Sequence, residues 1–293
     1  MRLRPFALRE PETLEEAVAA LAELDGEARV VAGGTALVPM IRLGLVAPDR
    51  LISLHRVAGL RGARVVEGAL EIGATTTYGH VERQAEVRRG WPLLAEAAAC
   101  VASPAVRNMG TVGGNLAYAE AASDVSPALL CLDAQVRVAG PGGARTVAIG
   151  DLFRGFYETA LAPDELITAV RVPAIAAGAR GGYVKFCSRS AEDKPLIGVA
   201  ALLRLDGTPP LCREARIGLG GAAPTPMRAR RAEAALNGQV LTDAAIAAAA
   251  EAAAEEADPL SDLMGSAGYR RRMIRVWVRR LLIDLRDGRL VAG

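Results

Sequence analysis

The chain has 293 residues, of which 51% are hydrophobic and only 4% aromatic, and its formal net charge is +2. This length suffices for about two domains, whose cores must be built from aliphatic side chains. The scarcity of rings and the balance of charge argue against nucleic acid or an acidic membrane surface as the main partner.

The sequence predicts a cytoplasmic protein that does not insert into a membrane. Its first residues lack the long apolar run of a secretory signal. The longest candidate span, Ala244–Ala254, contains Glu251 and is too short to cross a bilayer.

The first elements in chain order predict a small βαβ-like unit. Thr13 is typical of a helix N-cap, and Glu16 completes a capping box. The elements are a helix over Thr13–Leu24, a strand over Arg29–Ala32, a helix over Ala36–Leu43 with Thr35 at its start, and a strand over Leu51–Leu54.

Val30–Leu37, which reads VVAGGTAL, is called here the first glycine segment. Glycine lets a backbone turn sharply and lets its N–H groups approach a ligand closely. Because the segment leads from a strand into a helix, it places free N–H groups beside the positive end of a helix dipole. This arrangement is typical of an anion site.

A second unit of hairpins and helices is predicted next. Its elements are a hairpin of Arg64–Glu67 with Leu70–Ile72, helices over Trp91–Val101 and Val125–Leu132, a hairpin of Gln135–Ala139 with Arg145–Ile149, and a strand over Glu165–Val172 that Pro173 ends.

The second glycine segment, Arg107–Asp124, lies inside this unit and reads RNMGTVGGNLAYAEAASD. Two such segments in one chain predict a diphosphate held between two sets of backbone N–H groups, with Asp124 ready for a ribose. Ser123 and Asp124 also stand at the start of a predicted helix, so a plain N-cap is the alternative for them. The segments add three side-chain donors, namely Thr35, Thr111 and Asn115.

The composition changes around Ala174–Gly182, an Ala- and Gly-rich stretch that predicts a linker. The chain is therefore divided into residues 1–175, with subdomains of about 1–56 and 57–175, and residues 176–293. The second part is predicted to form a three-stranded sheet and helices. Its strands are Tyr183–Ser188, Leu196–Leu205 and Glu214–Leu219, and its helices are near Met227–Leu236, Asp243–Ala257 and Tyr269–Arg286.

The last of these helices carries an apolar stripe and a basic run. The stripe favours a packed amphipathic helix over a nucleic-acid reader, and the basic run, Tyr269–Arg280, is either a solvated face or a contact for an acidic partner. The stripe consists of Met273, Val276, Trp277 and Leu281.

Motifs of other chemistries are missing from the sequence. It has no G-x-G-x-x-G fingerprint, no Walker A loop and no visible catalytic triad. Its four cysteines form no C-x-x-C pair, which argues against a zinc or iron–sulfur site in the chain. Two histidines are few for a metal site, and only His80 is weighed as a ligand or general base. A large cofactor without acid–base groups is typical of electron transfer.

Five motifs occur in a defined order along the chain. They are VVAGGTAL at Val30–Leu37, IGATTTYGHVE at Ile72–Glu82, VRNMGTVGGN followed by Ser123 and Asp124, LAPDELITAVRVP at Leu161–Pro173, and YVKFCSRSAED at Tyr183–Asp193. Together they resemble the FAD-binding (medium) subunit of molybdenum-containing hydroxylases, the family of carbon monoxide dehydrogenase and of the flavin domain of xanthine dehydrogenase. The resemblance implies an α+β fold: an FAD-binding fold of the vanillyl-alcohol-oxidase type with two subdomains, followed by a C-terminal domain of a three-stranded sheet and helices.

The resemblance also implies the binding residues, and it implies no catalytic residue in this chain. Asp124 would hold the ribose end of FAD with Ser123 beside it, Ile167 would pack near the isoalloxazine ring, and Lys185 would approach the flavin edge. The alternatives are a strand-core position for Ile167 and a solvated or ion-paired Lys185. The pyrophosphate would be lined by Ala32, Gly33, Gly34, Thr35, Ala36 and Leu37 and closed from the other side by Thr111, Gly113, Gly114 and Asn115.

Two departures from the family pattern matter for the cofactor. Thr35 stands where some covalent flavoproteins of the wider fold carry a linking histidine, so non-covalent FAD is expected. The family's common S/N-P-A-S-D is replaced at Ala119–Asp124 by a stretch without proline, which leaves the path of that loop open.

The implied function is that of an electron-transfer subunit. A large partner subunit would hold the molybdenum cofactor, and a small partner subunit would relay electrons through [2Fe–2S] clusters to the FAD of this chain, which passes them to an external acceptor. A heterotrimer or its dimer, a heterohexamer, is expected. Two alternatives stay open: a free-standing FAD-dependent reductase or oxidase of the same fold, and a non-catalytic assembly protein that keeps the fold without flavin.

Overall fold

The computed structural model describes residues 4–23 and 28–289. Its first elements are β1 (Ala7–Arg9), α1 (Leu14–Ala22), β2 (Ala28–Val31), α2 (Leu37–Arg42) and β3 (Arg50–Ser53). The three strands form a parallel sheet in the order β1–β3–β2. The sequence does not predict β1, because its three residues are all exposed and show no apolar pattern.

Helix α1 begins where it is predicted to begin. The hydroxyl oxygen of Thr13 accepts a hydrogen bond from the N–H of Glu16 at 3.1 Å, so Thr13 is the N-cap. The Glu16 carboxylate accepts from the N–H of Glu12 at 2.9 Å rather than from that of Thr13, so the predicted capping box is closed one residue earlier. The helix ends at Ala22, and the predicted last residue, Leu24, lies outside the described residues.

Helix α2 is shorter than predicted and has no side-chain cap. The residue at its N-cap position is Ala36, which has no side chain that could accept a hydrogen bond. Thr35, which was expected at the helix start, lies one residue earlier and does not cap it. The first N–H groups of α2 are therefore left without a partner from a capping side chain.

The second unit follows in chain order. Its elements are β4 (Ala63–Val66), β5 (Ala69–Gly73), α3 (Tyr78–Arg83), α4 (Ala85–Gly90), α5 (Pro92–Ala99), α6 (Pro104–Arg107), α7 (Val112–Tyr118), α8 (Val125–Cys131), β6 (Gln135–Gly140), β7 (Gly143–Ala148), α9 (Ile149–Leu152), β8 (Phe153–Gly155), β9 (Glu158–Thr159) and β10 (Leu166–Val172). Five strands form an antiparallel sheet in the order β4–β5–β10–β6–β7, which confirms both predicted hairpins.

Five short helices of this unit, α3, α4, α6, α7 and α9, are absent from the prediction. Each has between four and seven residues, which is too short for an apolar period to be recognised. Helix α7 matters most, because it turns the centre of the second glycine segment into the first turn of a helix. Thr111 is its N-cap and accepts from the N–H of Gly114 at 3.2 Å.

The remaining elements are β11 (Ala179–Phe186), β12 (Ile197–Asp206), β13 (Leu211–Gly220), β14 (Met227–Arg228), α10 (Arg230–Leu236), α11 (Asp243–Glu256) and α12 (Ala267–Asp287). The three predicted strands are present and antiparallel, with the two-residue strand β14 added at one edge. Strand β11 begins at Ala179, inside the stretch predicted as a linker.

The buried face of α12 lies about one residue further along the chain than the predicted apolar stripe. The fully buried face passes through Ile274, Val278, Leu281, Leu282 and Leu285, whereas Met273, Val276 and Trp277 are only partly buried. Residues of the basic run form ion pairs with neighbouring acidic side chains, such as that of Arg271 with Asp258 at 3.2 Å.

The buried cores do not stop at the predicted domain boundary. Tyr183, Ala200 and Leu202 of the last sheet belong to the same buried apolar cluster as Leu94 and Leu129 of the second unit. The division near residue 175 stays a prediction. Within residues 4–23 and 28–289, no helix is both long and apolar enough to cross a membrane.

Candidate functional site

A cleft of about 690 Å³ lies between the β2–α2 region and the parts of the second unit around α3, α7 and β10. Its volume is within the range of about 300–1,000 Å³ that is typical of small-molecule sites. Ser123, Asp124 and Lys185 do not line it. The other predicted binding residues do, namely Ala32, Gly33, Gly34, Thr35, Ala36, Leu37, Thr111, Gly113, Gly114, Asn115 and Ile167.

The two glycine segments meet at the backbone beside this cleft. A Cβ atom placed on Gly33 would lie 1.9 Å from the carbonyl oxygen of Met109 and 3.1 Å from the Cα atom of Gly110. A Cβ atom on Gly113 would lie 2.6 Å from the Cβ atom of Ala74. Glycine is therefore required at these positions for close approach of the main chains.

The first glycine segment offers a row of unpaired donors. The backbone N–H groups of residues 33–37 have no hydrogen-bond acceptor among the described residues, and the next one, of Val38, donates to the carbonyl of Gly34 at 3.0 Å. Gly34 has a φ of 70°, which allows the sharp turn. Because these groups lead into α2, they coincide with the positive end of its dipole. Such an arrangement binds an anionic group, for example a diphosphate.

The second glycine segment uses its own N–H groups internally. Those of Val112 and Gly113 donate to the carbonyls of Thr76 and Ala74 at 3.0 and 2.9 Å. That of Gly114 donates to the Thr111 hydroxyl. The expectation that both segments offer main-chain donors is therefore wrong for these residues. Their N–H groups are already hydrogen-bonded, either to the Thr111 cap of α7 or to carbonyls of the chain that follows β5.

Asn115 gives the second segment a side-chain donor instead. Its Oδ1 atom accepts hydrogen bonds from the hydroxyls of Ser123 at 2.8 Å and Ser126 at 3.5 Å. Its Nδ2 atom donates to no described residue, and Asn115 lines the cleft. Ser123 therefore orients Asn115 from behind the cleft. It also accepts from the N–H of Ser126 at 3.2 Å, so the first turn of α8 is capped by Ser123.

Asp124 and Lys185 form a buried pair behind the cleft. Each side chain is 7% exposed, and Lys185 Nζ lies 3.3 Å from Asp124 Oδ2 and donates to the carbonyl of Cys100 at 2.7 Å. The Tyr183 hydroxyl donates to Asp124 Oδ1 at 2.8 Å. Since Tyr183 and Lys185 are on β11, Asp124 joins that strand to the second unit.

This arrangement excludes one alternative for Asp124 and shows an ion pair for Lys185. Asp124 makes no capping hydrogen bond at the start of α8, so its interpretation as a plain N-cap is wrong. The ion-paired alternative for Lys185 is the one that the geometry supports. Burial raises the pKa of Asp124 to about 6, and the neighbouring Lys185 ammonium opposes this rise. Direct contact of either residue with a nucleotide stays a prediction.

Ile167 has the strand-core position weighed for it and also lines the cleft, whereas its packing near the isoalloxazine ring stays a prediction. It is 5% exposed, belongs to the buried cluster of the second unit and also lines the cleft. It lies on β10, the central strand of the five-stranded sheet, so its position is fixed on both sides by neighbouring strands.

Sequence reasoning missed several residues that line the cleft, among them Arg29, Tyr78, Tyr118 and Tyr157. The guanidinium group of Arg29 has neither a hydrogen bond nor an ion pair with a described residue. The rings of Tyr118 and Tyr157 have centroids 5.0 Å apart. A signal existed for Tyr78 and Tyr118, because both stand inside motifs quoted above in a chain with only 4% aromatic residues.

His80 is exposed and does not line the cleft. In the described part of the chain, no group of three or more His, Cys, Asp or Glu side chains could hold a metal ion.

Two known family profiles match the sequence of this chain. The sequence profile described as FAD binding domain in molybdopterin dehydrogenase matches residues 4–175, and the profile described as CO dehydrogenase flavoprotein C-terminal domain matches residues 182–285. The chain belongs to this flavoprotein family. The resemblance drawn from the five motifs is thereby confirmed, as is the fold class of an FAD-binding domain followed by a C-terminal flavoprotein domain.

Relatives of this flavoprotein extend over its whole length. It is 36% identical over 277 residues to the carbon monoxide dehydrogenase medium chain of Hydrogenophaga pseudoflava, covering 94% of this chain and 96% of the relative. It is 30% identical to the xanthine dehydrogenase FAD-binding subunit of Escherichia coli O157:H7, with 93% of each chain covered. A structure of the Hydrogenophaga pseudoflava carbon monoxide dehydrogenase superposes with a TM-score of 0.95 at 37% identity, covering 99% and 100% of the two chains.

Proposed function

We propose that this flavoprotein is the electron-transfer subunit of a molybdenum-containing hydroxylase. In this proposal the chain takes electrons from the [2Fe–2S] clusters of a small partner subunit and passes them to an external acceptor. The observation that carries it is the row of unpaired N–H groups of residues 33–37, which lines a cleft of suitable volume.

The residues present in the cleft suit FAD. The unpaired N–H groups of residues 33–37 would hold the diphosphate, and the Nδ2 atom of Asn115 adds a donor opposite them. Gly33 and Gly113 leave no room for side chains where the two segments meet. Ile167 supplies an apolar surface of the kind against which an isoalloxazine ring packs. Bound FAD supplies the ability to accept and release electrons, and the chain supplies binding and orientation.

Non-covalent binding of FAD is part of the proposal. Among the described residues that line the cleft, none is a histidine or a cysteine, and the residue at position 35 is a threonine. Acid denaturation should therefore release the FAD from the protein as an intact, unmodified molecule.

The names of the relatives support the proposed partners. Carbon monoxide dehydrogenase medium chain and nicotine 6-hydroxylase medium subunit are names of parts of larger assemblies. One solved relative is titled a Cu,Mo-CO dehydrogenase. On this basis we assign the molybdopterin cofactor to a large partner subunit and the iron–sulfur clusters to a small one, in a heterotrimer or its dimer. Four free cysteines in the fold suit a cytoplasmic, reducing compartment.

The first experiment is purification of the chain alone and together with its two partners. The expected result is a yellow protein with flavin absorbance whose FAD is released by acid. In stopped-flow mixing, the reduced small subunit should bleach this absorbance. A colourless protein that takes up no FAD would favour the assembly protein. A chain that couples a small-molecule reductant to an acceptor without partners would favour the free-standing reductase or oxidase.

A further inference from the structure

The side chain of Tyr78 is buried, and its hydroxyl has no hydrogen-bond partner among the described residues. The residue is 4% exposed and lines the cleft. No described residue accepts a hydrogen bond from this hydroxyl or donates one to it. A hydroxyl that has no protein partner and belongs to a residue lining a cleft is free to bond to a ligand in that cleft.

Packing places Tyr78 next to the meeting point of the two glycine segments. A Cβ atom on Gly110 would lie 2.9 Å from Cε2 of Tyr78, so the ring rests directly on that glycine. A Cβ atom on Gly33 would lie 3.1 Å from the Cα atom of the same Gly110. Gly110 therefore contacts both the Tyr78 ring and Gly33, so a single glycine separates the ring from the first glycine segment.

The backbone holds this ring in place. The N–H of Tyr78 donates to the carbonyl of Gly110 at 3.1 Å. Thr77 caps α3 and pairs with Thr111 in a β-bridge, so the start of α3 is tied to the second glycine segment. A hydroxyl mounted on this rigid support is pre-organised for a ligand and loses little freedom on binding.

The hydroxyl is a donor at any physiological pH. Burial raises the pKa of Tyr78 far above its usual value, and the nearby Asp124 charge adds to the rise. The phenol thus keeps its proton. A neutral donor is suited to a negatively charged oxygen, which forms stronger hydrogen bonds than a neutral acceptor.

We propose that the Tyr78 hydroxyl donates a hydrogen bond to a diphosphate oxygen of the bound nucleotide. This inference rests on the proposed binding of FAD and adds one contact residue to it. The diphosphate would then be held by the N–H groups of residues 33–37, by the Asn115 amide and by this hydroxyl. Gly110 has the role of leaving room for the ring.

The test is Tyr78→Phe, which removes the hydroxyl and keeps the ring. The apo protein is titrated with FAD and, separately, with ADP, which carries a diphosphate but no flavin. The dissociation constants for both ligands are expected to rise by the same factor, about tenfold or more. The thermal midpoint of the apo variant should not fall, because the lost hydroxyl bonds to none of residues 4–23 and 28–289.

Tyr183→Phe is the matched control. It also removes a buried tyrosine hydroxyl, but one that donates to Asp124 at 2.8 Å. Its apo form should melt at a lower temperature than the wild type, and its ADP affinity should change less than that of Tyr78→Phe. Phosphorus NMR of bound FAD gives a second measure: the diphosphate resonances should shift between the wild type and Tyr78→Phe.

The outcomes separate this inference from the proposed function. A wild-type chain that binds no FAD would contradict the proposed function itself. FAD and ADP affinities that are unchanged in Tyr78→Phe, with unchanged phosphorus resonances, would overturn only the role of Tyr78. A variant that loses affinity for FAD but not for ADP would place the hydroxyl against the flavin half and overturn the diphosphate contact.

Discussion

Gly33→Ala tests whether the close approach of the two glycine segments forms the binding site. The added Cβ atom would lie 1.9 Å from the carbonyl oxygen of Met109, which is a backbone atom and cannot rotate away. An ordinary contact begins at 3.4 Å, so the second segment must withdraw by about 1.5 Å. The unpaired N–H groups of residues 33–37 and the Asn115 amide of the second segment would then no longer reach one diphosphate together.

The expected magnitudes follow from this displacement. Forced overpacking costs about 1–3 kcal/mol. For a domain of this size a loss of 1 kcal/mol lowers the thermal midpoint by about 2–4 °C, so the apo variant should melt about 2–12 °C lower. Loss of one hydrogen bond to a charged group is worth about 1.5–3 kcal/mol. The FAD dissociation constant should therefore rise by about 10- to 100-fold.

The assay is FAD titration by fluorescence quenching, combined with thermal melting of the apo protein. Gly142→Ala is the control, because a Cβ atom there meets nothing within 4 Å and the residue is in the turn between β6 and β7. It should bind FAD like the wild type. If Gly33→Ala also binds FAD with wild-type affinity, the contact between the segments is not what forms the site.

Three other variants test separate parts of the structure. Gly114→Val should lose FAD on gel filtration, because the added side chain enters the cleft and displaces the Thr111 cap. Gly114→Ala should be less affected. Full retention of FAD by Gly114→Val would count against this site. Ionisation of Asp124, whose pKa burial raises from 3.8 to about 6, disfavours the folded state. Wild-type stability should therefore fall relative to Asp124→Asn by about 3 kcal/mol between pH 4 and 6 and then level off; a pH-independent difference in urea unfolding would refute this. Glu233→Ala should cost about 3–5 kcal/mol in urea unfolding, because buried Arg228 keeps only the half-exposed Asp133 as a carboxylate partner and the N–H of Ile217 loses its acceptor. FAD affinity should change less than about twofold, and a larger loss would couple the C-terminal helices to the cleft.

The regular elements show which patterns can be interpreted from sequence. The start of α1, the two hairpins of the second unit and the three long strands of the last sheet are predicted correctly. Each has a capping residue, a turn or a sustained apolar pattern within one short window. The short helices α3 and α7 were missed, because they are held by contacts with distant residues such as the pairing of Thr77 with Thr111.

The kind of site is predicted by local sequence alone. A strand, a Gly-Gly step and a helix start within eight residues are enough to specify an anion-binding turn, because the required backbone freedom and dipole are local properties. The order of five motifs was enough to indicate the family, and the matches to it bear this out.

Which groups face the cleft depends on packing between distant segments. This packing leaves the N–H groups of residues 33–37 without an acceptor in the described part of the chain, whereas those of Gly113 and Gly114 donate to the Ala74 carbonyl and the Thr111 hydroxyl. It also placed Asp124 against β11 and brought the unpartnered Tyr78 hydroxyl to the cleft. The hydrogen-bond partners of these groups come from residues far away in the chain. A local sequence pattern therefore cannot predict which of two possible partners a donor will bond to.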